Sequence, residues 1–383
     1  MHVEQEVAAA TVQVSVVIPC LNEEAGIVHV VEQARAGLES AGLVGEILVV
    51  DNASEDRSAE LARSAGATVV YEPRRGYGSA YLAGLAAARG DYVVMADADG
   101  TYDLALIGPL VERLRDGAGM VLGSRFEGTI HPGAMPWSNR YVGNPILTGM
   151  LNLLFGARVS DAHCGLRAIR RDVIPQLELS ATGMEFASEM VIKAGKRRVR
   201  IDEIPIDYHP RIGDSKLSRF SDAWRHVRFM LVYSPAFLFV LPGGVATAAG
   251  LAGLIVLGSM RHLSDNWTGV SVAFAMLTIL GLGVIQLGLF ARTYAVIYLG
   301  EHDERLERSW RRFRLEHGLA LAGVTFLAGA AITATSFFDG VKDPRLGILG
   351  LALATVGAQG AFGAFFLSIL GLSRHAVLRR GSF

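Results

Sequence analysis

Two aspartates one residue apart, Asp97 and Asp99 in the segment ADADG, follow an apolar run that begins at Tyr92. Successive side chains of an extended chain point to opposite sides, so residues two apart share a side and both carboxylates can reach one ion. A hard divalent cation, Mg²⁺ or Mn²⁺, takes one or two such carboxylates and completes its shell with phosphate oxygens and water. The GYG at Gly76 to Gly78 has neither Walker nor dinucleotide spacing. A diphosphate held by this chain is therefore expected to be neutralised by a metal on Asp97 and Asp99 rather than cradled by glycines. Taken alone, two aspartates at the end of a strand are explained as well by a cap or a turn.

The elements that position this pair can be read from periodicity. Residues 14–19 form a β-branched run that ends at a turn, residues 24–38 have helical spacing, and residues 46–51 are a second apolar run, which makes a βαβ unit. Helical spacing at 57–65 and 77–88 and short apolar runs at 68–71 and 92–96 continue the alternation. The expected fold is α/β with a Rossmann-like, mainly parallel sheet. Ligands of such sheets sit beyond the carboxyl ends of the strands. Polar residues fall there in turn: Pro19, Asn22 and Glu23; Asp51, Asn52 and Ser54; Arg74, Gly76 and Gly78; Asp97 and Asp99. Asp51 and Ser54 singly are ordinary helix caps, and the glycines ordinary loop residues. Their recurrence at four successive strand ends points to one crevice.

The segments VSVVIPCLNEE, EILVVDNASED and YVVMADADG, in that order, resemble glycosyltransferase family 2 enzymes of the GT-A fold. GSRFEG at Gly123 to Gly128, NRYVGN at Asn139 to Asn144 and HPRIGDSKL at His209 to Leu217 resemble the dolichol-phosphate mannosyltransferases and bacterial polyprenyl-phosphate glycosyltransferases within it. The resemblance covers residues 14–230. It implies that Pro19, Asn22, Glu23 and Asp51, with Asn52 beside them, hold the base and ribose of a nucleotide-sugar, and that Asp97 and Asp99 hold the metal. It also implies that Arg125 and Arg140 receive a lipid phosphate and that Arg211 and Lys216 belong to a basic loop closing over the donor diphosphate. Many such mannosyltransferases carry a glutamine metal ligand where this chain has Thr101.

The chemistry implied is an inverting transfer of one hexose, mannose from GDP-mannose or glucose from UDP-glucose, to a polyprenyl or dolichyl phosphate. A phosphomonoester is largely ionised near neutral pH, so the nucleophile needs no strong base. Positioning and charge neutralisation must supply the catalysis, with the metal, Arg211 and Lys216 on the leaving group and guanidinium forks on the acceptor phosphate. Glu185 and Glu189 in GMEFASEM stand four apart, on one face if helical, and suit either a sugar contact or a structural role. Asp161, His163 and Arg167 in VSDAHCGLRAI are candidates for the acceptor side, and further ligands at zinc spacing are missing there.

Composition divides the 383-residue chain. Hydrophobic residues make up 51%, and most of that excess follows Ser234 in stretches at about 236–258, 270–291, 318–338 and 346–372, each near the length that crosses a bilayer. The division expected is a catalytic domain at 1–217, an amphipathic interfacial helix at 218–235, and a four-span membrane domain with a cytoplasmic tail at 236–383. The interfacial helix is read from Phe220, Trp224, Val227 and Leu231 on one stripe with Arg225 and Arg228 off it. Positive connections stay cytoplasmic. Arg292, Arg305, Arg308, Arg311, Arg312 and Arg314 mark the second connection and Arg374, Arg379 and Arg380 the tail, against Arg261 in the first and Lys342 and Arg345 in the third. The catalytic domain should therefore face the cytoplasm, at a bacterial inner or plasma membrane.

A net charge of −1 excludes nucleic acid as a partner class. The two cysteines, Cys20 and Cys164, lack metal or disulfide spacing and suit a reduced cytosolic domain. The expected partners are a nucleotide-sugar, a polyprenyl phosphate and membrane lipids. Sugar, base, polyprenol length and oligomeric state, a homo-oligomer included, are left open by the sequence. Two alternatives remain: a processive polysaccharide synthase, against which stands the missing QxxRW motif, and a non-catalytic flippase or scaffold, against which stand the intact Asp51, Asp97 and Asp99.

Overall fold

The computed structural model describes residues 12–213, 219–234, 236–259, 267–298, 315–338 and 344–380. Lys216 lies outside the described residues, as do Arg261, Arg305, Arg308, Arg311, Arg312, Arg314 and Lys342. The chain divides into two compact units, Met1–Met230 and Leu231–Phe383.

Among its described residues the first unit has seven strands: β1 Val14–Cys20, β2 Gly45–Asp51, β3 Thr68–Tyr71, β4 Tyr92–Met95, β5 Met120–Ser124, β6 Arg167–Arg170 and β7 Ile201–Pro205. Their order is β3-β2-β1-β4-β6-β5-β7, and every neighbour pairing is parallel except the two made by β6. The helices are α1 Ile27–Ser40, α2 Ser58–Ser64, α3 Tyr77–Ala87, α4 Ile107–Arg115, α5 Asn144–Phe155, α6 Ile174–Leu177, α7 Phe186–Lys196 and α8 Arg219–Tyr233. Val14, Val16 and Ile18 of β1 turn to the core shared with α1 and α4, while Val17 and Val50 turn to α3, where they meet the backbone of Gly84. Apolar residues on both faces are what a strand covered by helices on both sides requires. That is why β1 reads as a continuous run rather than an alternation.

Register aligns the strand ends. Cys20 pairs with Asp51, Asp51 with Tyr71, and Met95 with both Val17 and Arg167. The chain winds outward from β1 through β2 to β3 and then returns to β4 on the other side of β1, so the crossover of direction lies between β1 and β4. That is the position at which a doubly wound sheet opens a crevice. β6 runs antiparallel, so the turn before it, residues 159–166, lies at the same edge as the ends of β1, β2, β4 and β5.

Among the described residues the second unit contains four helices long and apolar enough to cross a membrane: Phe237–Ser259, Thr268–Ile297, Leu315–Ser336 and Pro344–Leu370. Glycines let their backbones approach closely. A side chain at Gly243 would meet the carbonyl of Gly281, and one at Gly329 that of Gly350. Small residues at such crossings are the usual means of packing helices in lipid, where no hydrophobic force favours one apolar contact over another. Large apolar side chains such as Ile255 and Phe362 point outward, as a lipid-facing surface allows.

Candidate active site

The loops after β1 and β2 are stitched to each other. Asn22 has φ +53°, a left-handed conformation that asparagine tolerates. Its Oδ1 accepts from the backbone N–H of Glu55 at 2.7 Å and its own N–H donates to Ser54 Oγ at 3.0 Å. The Glu23 N–H donates to Ser58 Oγ at 2.8 Å, and Asp51 Oδ1 accepts from the N–H of Ser54 at 3.1 Å. Pro19, at the end of β1, is half-buried.

Asn52, expected beside the nucleotide, directs its side chain to neighbouring backbone. Its side-chain amide donates to the carbonyls of Glu72 and Arg74 at 3.0 and 2.8 Å and accepts from the N–H of Gly76 at 2.7 Å. Both donors and the acceptor are thus committed to backbone, and Asn52 shapes the turn into α3. Gly76 itself has no room for a side chain, since a Cβ would lie 2.3 Å from the Thr182 carbonyl.

Asp97 and Asp99 emerge after β4. The Tyr77 hydroxyl donates to Asp97 Oδ1 at 3.1 Å. The other carboxylate oxygen sits so close to Gly165 that a Cβ there would be 2.4 Å away. Desolvation, then the charge of Asp99, push the Asp97 carboxyl up to about 7, against the opposite pull of the Tyr77 hydroxyl, Arg125 and Arg167. Asp99 accepts from the N–H and hydroxyl of Thr101 at 3.2 and 2.7 Å. Thr101 therefore orients the Asp99 carboxylate.

Residues 209–212 lie along this loop. The His209 N–H donates to the Thr101 carbonyl at 3.0 Å and the Ile212 N–H to the Asp99 carbonyl at 2.8 Å. Between them Arg211 extends Nη2 to Glu23 Oε1 at 3.0 Å and Nη1 to within 3.8 Å of Asp99 Oδ2. One guanidinium thus links the loop after β1 to the second aspartate.

The donor set suits a hard divalent ion. No cluster of three His, Cys, Asp or Glu side chains suited to a metal occurs among the described residues. The pair is therefore two carboxylates and no imidazole or thiolate cage, the arrangement that leaves coordination sites for phosphate and water. Burial and the charge of Asp99, which raise the Asp97 carboxyl to about 7, are both relieved by a cation placed between the two carboxylates.

Arg125 follows β5 directly, but it is not the free fork that its motif suggests. Nε and Nη2 donate to Asp161 at 2.6 and 2.8 Å, the pair is almost wholly buried, and the guanidinium lies 5.2 Å from the ring centre of Tyr208. Desolvation opposes its charge, yet Asp161 holds its pKa well above the ordinary arginine value. Arg140 sits on a different element, the short π-type turn Asn139–Gly143 ahead of α5, with its guanidinium over the ring of Tyr141. The two arginines are held by different partners, Arg125 by Asp161 and Arg140 over the Tyr141 ring.

The remaining candidates make contacts within the domain. Arg167 is fully buried and donates to the carbonyls of Cys164, Ala187 and Ala162. Glu189 is buried, accepts from the N–H groups of Ser180 and Ala181 and pairs with Lys193. Glu185 accepts from the Gly183 N–H and precedes α7. His163 bonds to Ser188, which also bonds to His226 of α8 at 2.8 Å. Sequence reasoning missed three partners. Tyr77 reaches Asp97, Ser188 joins the two histidines, and Glu203 of β7 accepts from the N–H groups of Ser160 and Asp161 and so sets the carboxylate that faces Arg125.

Residues 15–177 match the family described as Glycosyl transferase family 2, and residues 289–371 match Glycosyltransferase family 2 C-terminal transmembrane region. Low-salt glycan biosynthesis hexosyltransferase Agl6 of Haloferax volcanii is 40% identical over 367 residues, which cover 93% of this chain and 89% of that protein. Dolichyl-phosphate hexose transferase of the same organism is 35% identical over 46% of this chain and 75% of its own. Undecaprenyl-phosphate 4-deoxy-4-formamido-L-arabinose transferase of Salmonella paratyphi A is 29% identical over 76% of this chain and 90% of its own.

Proposed function

We propose, from the premise that this chain belongs to glycosyltransferase family 2 and is a membrane glycosyltransferase, that it transfers a single hexose to a polyprenyl phosphate by inversion. The donor is a nucleotide-sugar, GDP-mannose or UDP-glucose, and the transfer takes place on the cytoplasmic face. The observation that carries the reading is the convergence of Asp97, Asp99, Arg211 and Glu23 at the crevice edge, two carboxylates for a cation beside one guanidinium for a phosphate. The similarity to a dolichyl-phosphate hexose transferase and an undecaprenyl-phosphate transferase supports the acceptor class. The basic second connection and tail support the sidedness.

In this reading Asp97 and Asp99 hold Mg²⁺ or Mn²⁺, which supplies Lewis-acid neutralisation of the departing diphosphate. Pro19, Asn22, Glu23 and Asp51 line the nucleotide side, and Asn52 keeps the adjoining turn in place. Arg211, already beside Asp99, exchanges its contact with that carboxylate for a diphosphate oxygen, so negative charge on the leaving group meets a fixed cation. Lys216 extends the same basic segment. Arg140 is the acceptor-phosphate cation in this reading, and Arg125, held by Asp161, contributes a buried positive field and secondary contact. Helix α8, whose Trp224 is 57% exposed, lies at the lipid surface.

Melting of the detergent-solubilised full chain with a panel of nucleotide-sugars and Mn²⁺ tests the donor side. A stabilising GDP- or UDP-sugar whose effect vanishes in Asp99→Asn supports the reading. Stabilisation that survives this change would remove the metal pair from donor binding.

A further inference from the structure

The GYG at Gly76 to Gly78 lacks the spacing of a phosphate cradle, yet close packing requires both of its glycines. A side chain at Gly76 would meet the Thr182 carbonyl at 2.3 Å, and one at Gly78 would meet the Ala181 carbonyl at 2.1 Å. The Ser79 N–H donates to the Thr182 carbonyl at 3.0 Å, so the first turn of α3 lies pressed on residues 181–182. Those residues are fixed in turn, since the Ala181 N–H donates to the buried carboxylate of Glu189 at 2.9 Å. From the strand side, Asn52 accepts from the Gly76 N–H at 2.7 Å and donates to the carbonyls of Glu72 and Arg74. Tyr77 is the residue that these contacts place.

Its ring meets that of Tyr81 edge to face, with centroids 4.8 Å apart, and Tyr81 stacks on Phe186 of α7 at 5.5 Å. The Tyr77 hydroxyl donates to Asp97 Oδ1 at 3.1 Å. An ionised carboxylate offers acceptors alone, so the phenol is the donor. On the other oxygen, Gly165 is so close that a Cβ would lie 2.4 Å from Oδ2, and the Gly165 N–H is tied to the Tyr102 hydroxyl at 2.8 Å. One oxygen of Asp97 is thus held by a hydrogen bond and the other by packing. Asp99 is held in its turn by the N–H and hydroxyl of Thr101. Groups that hydrogen-bond to a metal's carboxylate ligands orient them, and losing one such group typically weakens metal binding by about 10–100-fold.

We propose that Tyr77 is a positioning residue of the divalent-metal site: its hydroxyl sets the Asp97 carboxylate for a cation shared with Asp99, and the tight GYG turn delivers that hydroxyl. The inference rests on the reading of Asp97 and Asp99 as metal ligands. It gives the two glycines a task that needs no contact with the donor, and it links Asn52 to the metal through the turn rather than through the nucleotide. The neighbouring phenol on α3 is separable from this task, because the Tyr81 hydroxyl goes to the Ala96 carbonyl at 3.3 Å.

The test compares Tyr77→Phe with Tyr81→Phe in the detergent-solubilised full chain. Each change removes one hydroxyl and keeps the ring that packs. Mn²⁺ alone is the probe, its binding followed by loss of the free-ion electron paramagnetic resonance signal, and melting in the presence of chelator reports the fold. Tyr77→Phe should weaken Mn²⁺ binding by about 10–100-fold while melting in chelator as the parent does. Tyr81→Phe should bind Mn²⁺ with the parent's affinity. Parental affinity in Tyr77→Phe would overturn the proposal and leave the metal reading intact. So would an equal loss in Tyr81→Phe, which would trace the effect to packing around α3, or a Tyr77→Phe chain that melts well below the parent in chelator, which would assign the hydroxyl to the fold. A parent chain that binds no Mn²⁺ would overturn the metal reading and the proposal with it.

Discussion

Arg125 and Asp161 form an almost wholly buried bidentate ion pair, Nε to Oδ2 at 2.6 Å and Nη2 to Oδ1 at 2.8 Å. They stand 36 positions apart in sequence and join the end of β5 to the turn before β6. Burying two charges is costly unless each satisfies the other, and removing one leaves the other exposed to that cost. Asp161→Asn should therefore lower stability by about 3–5 kcal/mol, read as a fall in melting temperature. Arg125→Lys should not rescue the site, because an ammonium cannot reproduce the planar fork.

The same pair separates a structural from a binding role. In the double variant Arg125→Met with Asp161→Leu both charges go together, and stability should recover much of the single-variant loss. If its KM for polyprenyl phosphate then matches the parent, Arg125 is a structural residue, and Arg140→Ala should carry the acceptor defect instead. A raised acceptor KM with an unchanged donor KM in the stable double variant would return Arg125 to the acceptor side.

Metal binding should be pH-dependent through Asp97. Its carboxyl is pushed up to about 7 in the metal-free protein, so a proton and a cation compete for it. Mn²⁺ affinity measured by calorimetry should fall about tenfold for each pH unit below 7, with proton release on binding, and level off above it. Stability has the opposite sign in the metal-free state. The native carboxyl binds its proton more tightly than the unfolded one, near 3.9. Between these values the native state carries more protons, and stability falls as pH rises toward 7. A metal affinity that is flat from pH 6 to 8 would contradict the assignment.

Gly165→Ala should damage the metal site without a general loss of fold. Its Cβ would sit 2.4 Å from an Asp97 oxygen and 2.9 Å from the Tyr102 hydroxyl, so the Asp97 carboxylate must shift to admit it. Mn²⁺ affinity should drop while circular dichroism is retained.

Arg211→Gln should lower kcat by about 10²–10³ if the guanidinium neutralises the leaving diphosphate, the loss typical when one preorganised donor is removed from a transition state. The acceptor KM should not change. Steady-state kinetics with varied donor and acceptor separate the two effects.

Much of the fold was open to reading because its signals are local. The β-branched run of β1, the four apolar spans and the alternation through β4 each occupy a continuous stretch. β5, β6 and β7 were missed in the strand reading because β5, MVLGS, ends on Gly and Ser, β7, IDEIP, carries two acids and a proline, and β6, only RAIR, begins and ends on arginines. The gathering of side chains at the crevice was legible where polar residues fall at strand ends: Asp97, Asp99, Glu23 and Arg211 come together. It was not legible where function depends on a distant partner. Nothing in GSRFEG announces that Arg125 meets Asp161, nor does the sequence around Tyr77 reveal its bond to Asp97. Asn52 looked like a ligand because it follows Asp51, yet an asparagine equally suits the hydrogen-bonding demand of an irregular backbone turn.

The most direct measurement is sugar transfer by the reconstituted full chain. Vesicles containing polyprenyl phosphate are supplied with labelled GDP-mannose or UDP-glucose and Mn²⁺, and the lipid extract is analysed for label and product length. The account expects one of the donors to yield a mild-acid-labile lipid bearing a single sugar, with formation abolished by chelation and by Asp99→Asn. A polymer in place of that lipid, transfer undiminished by chelator, or no labelled lipid from either donor would contradict it.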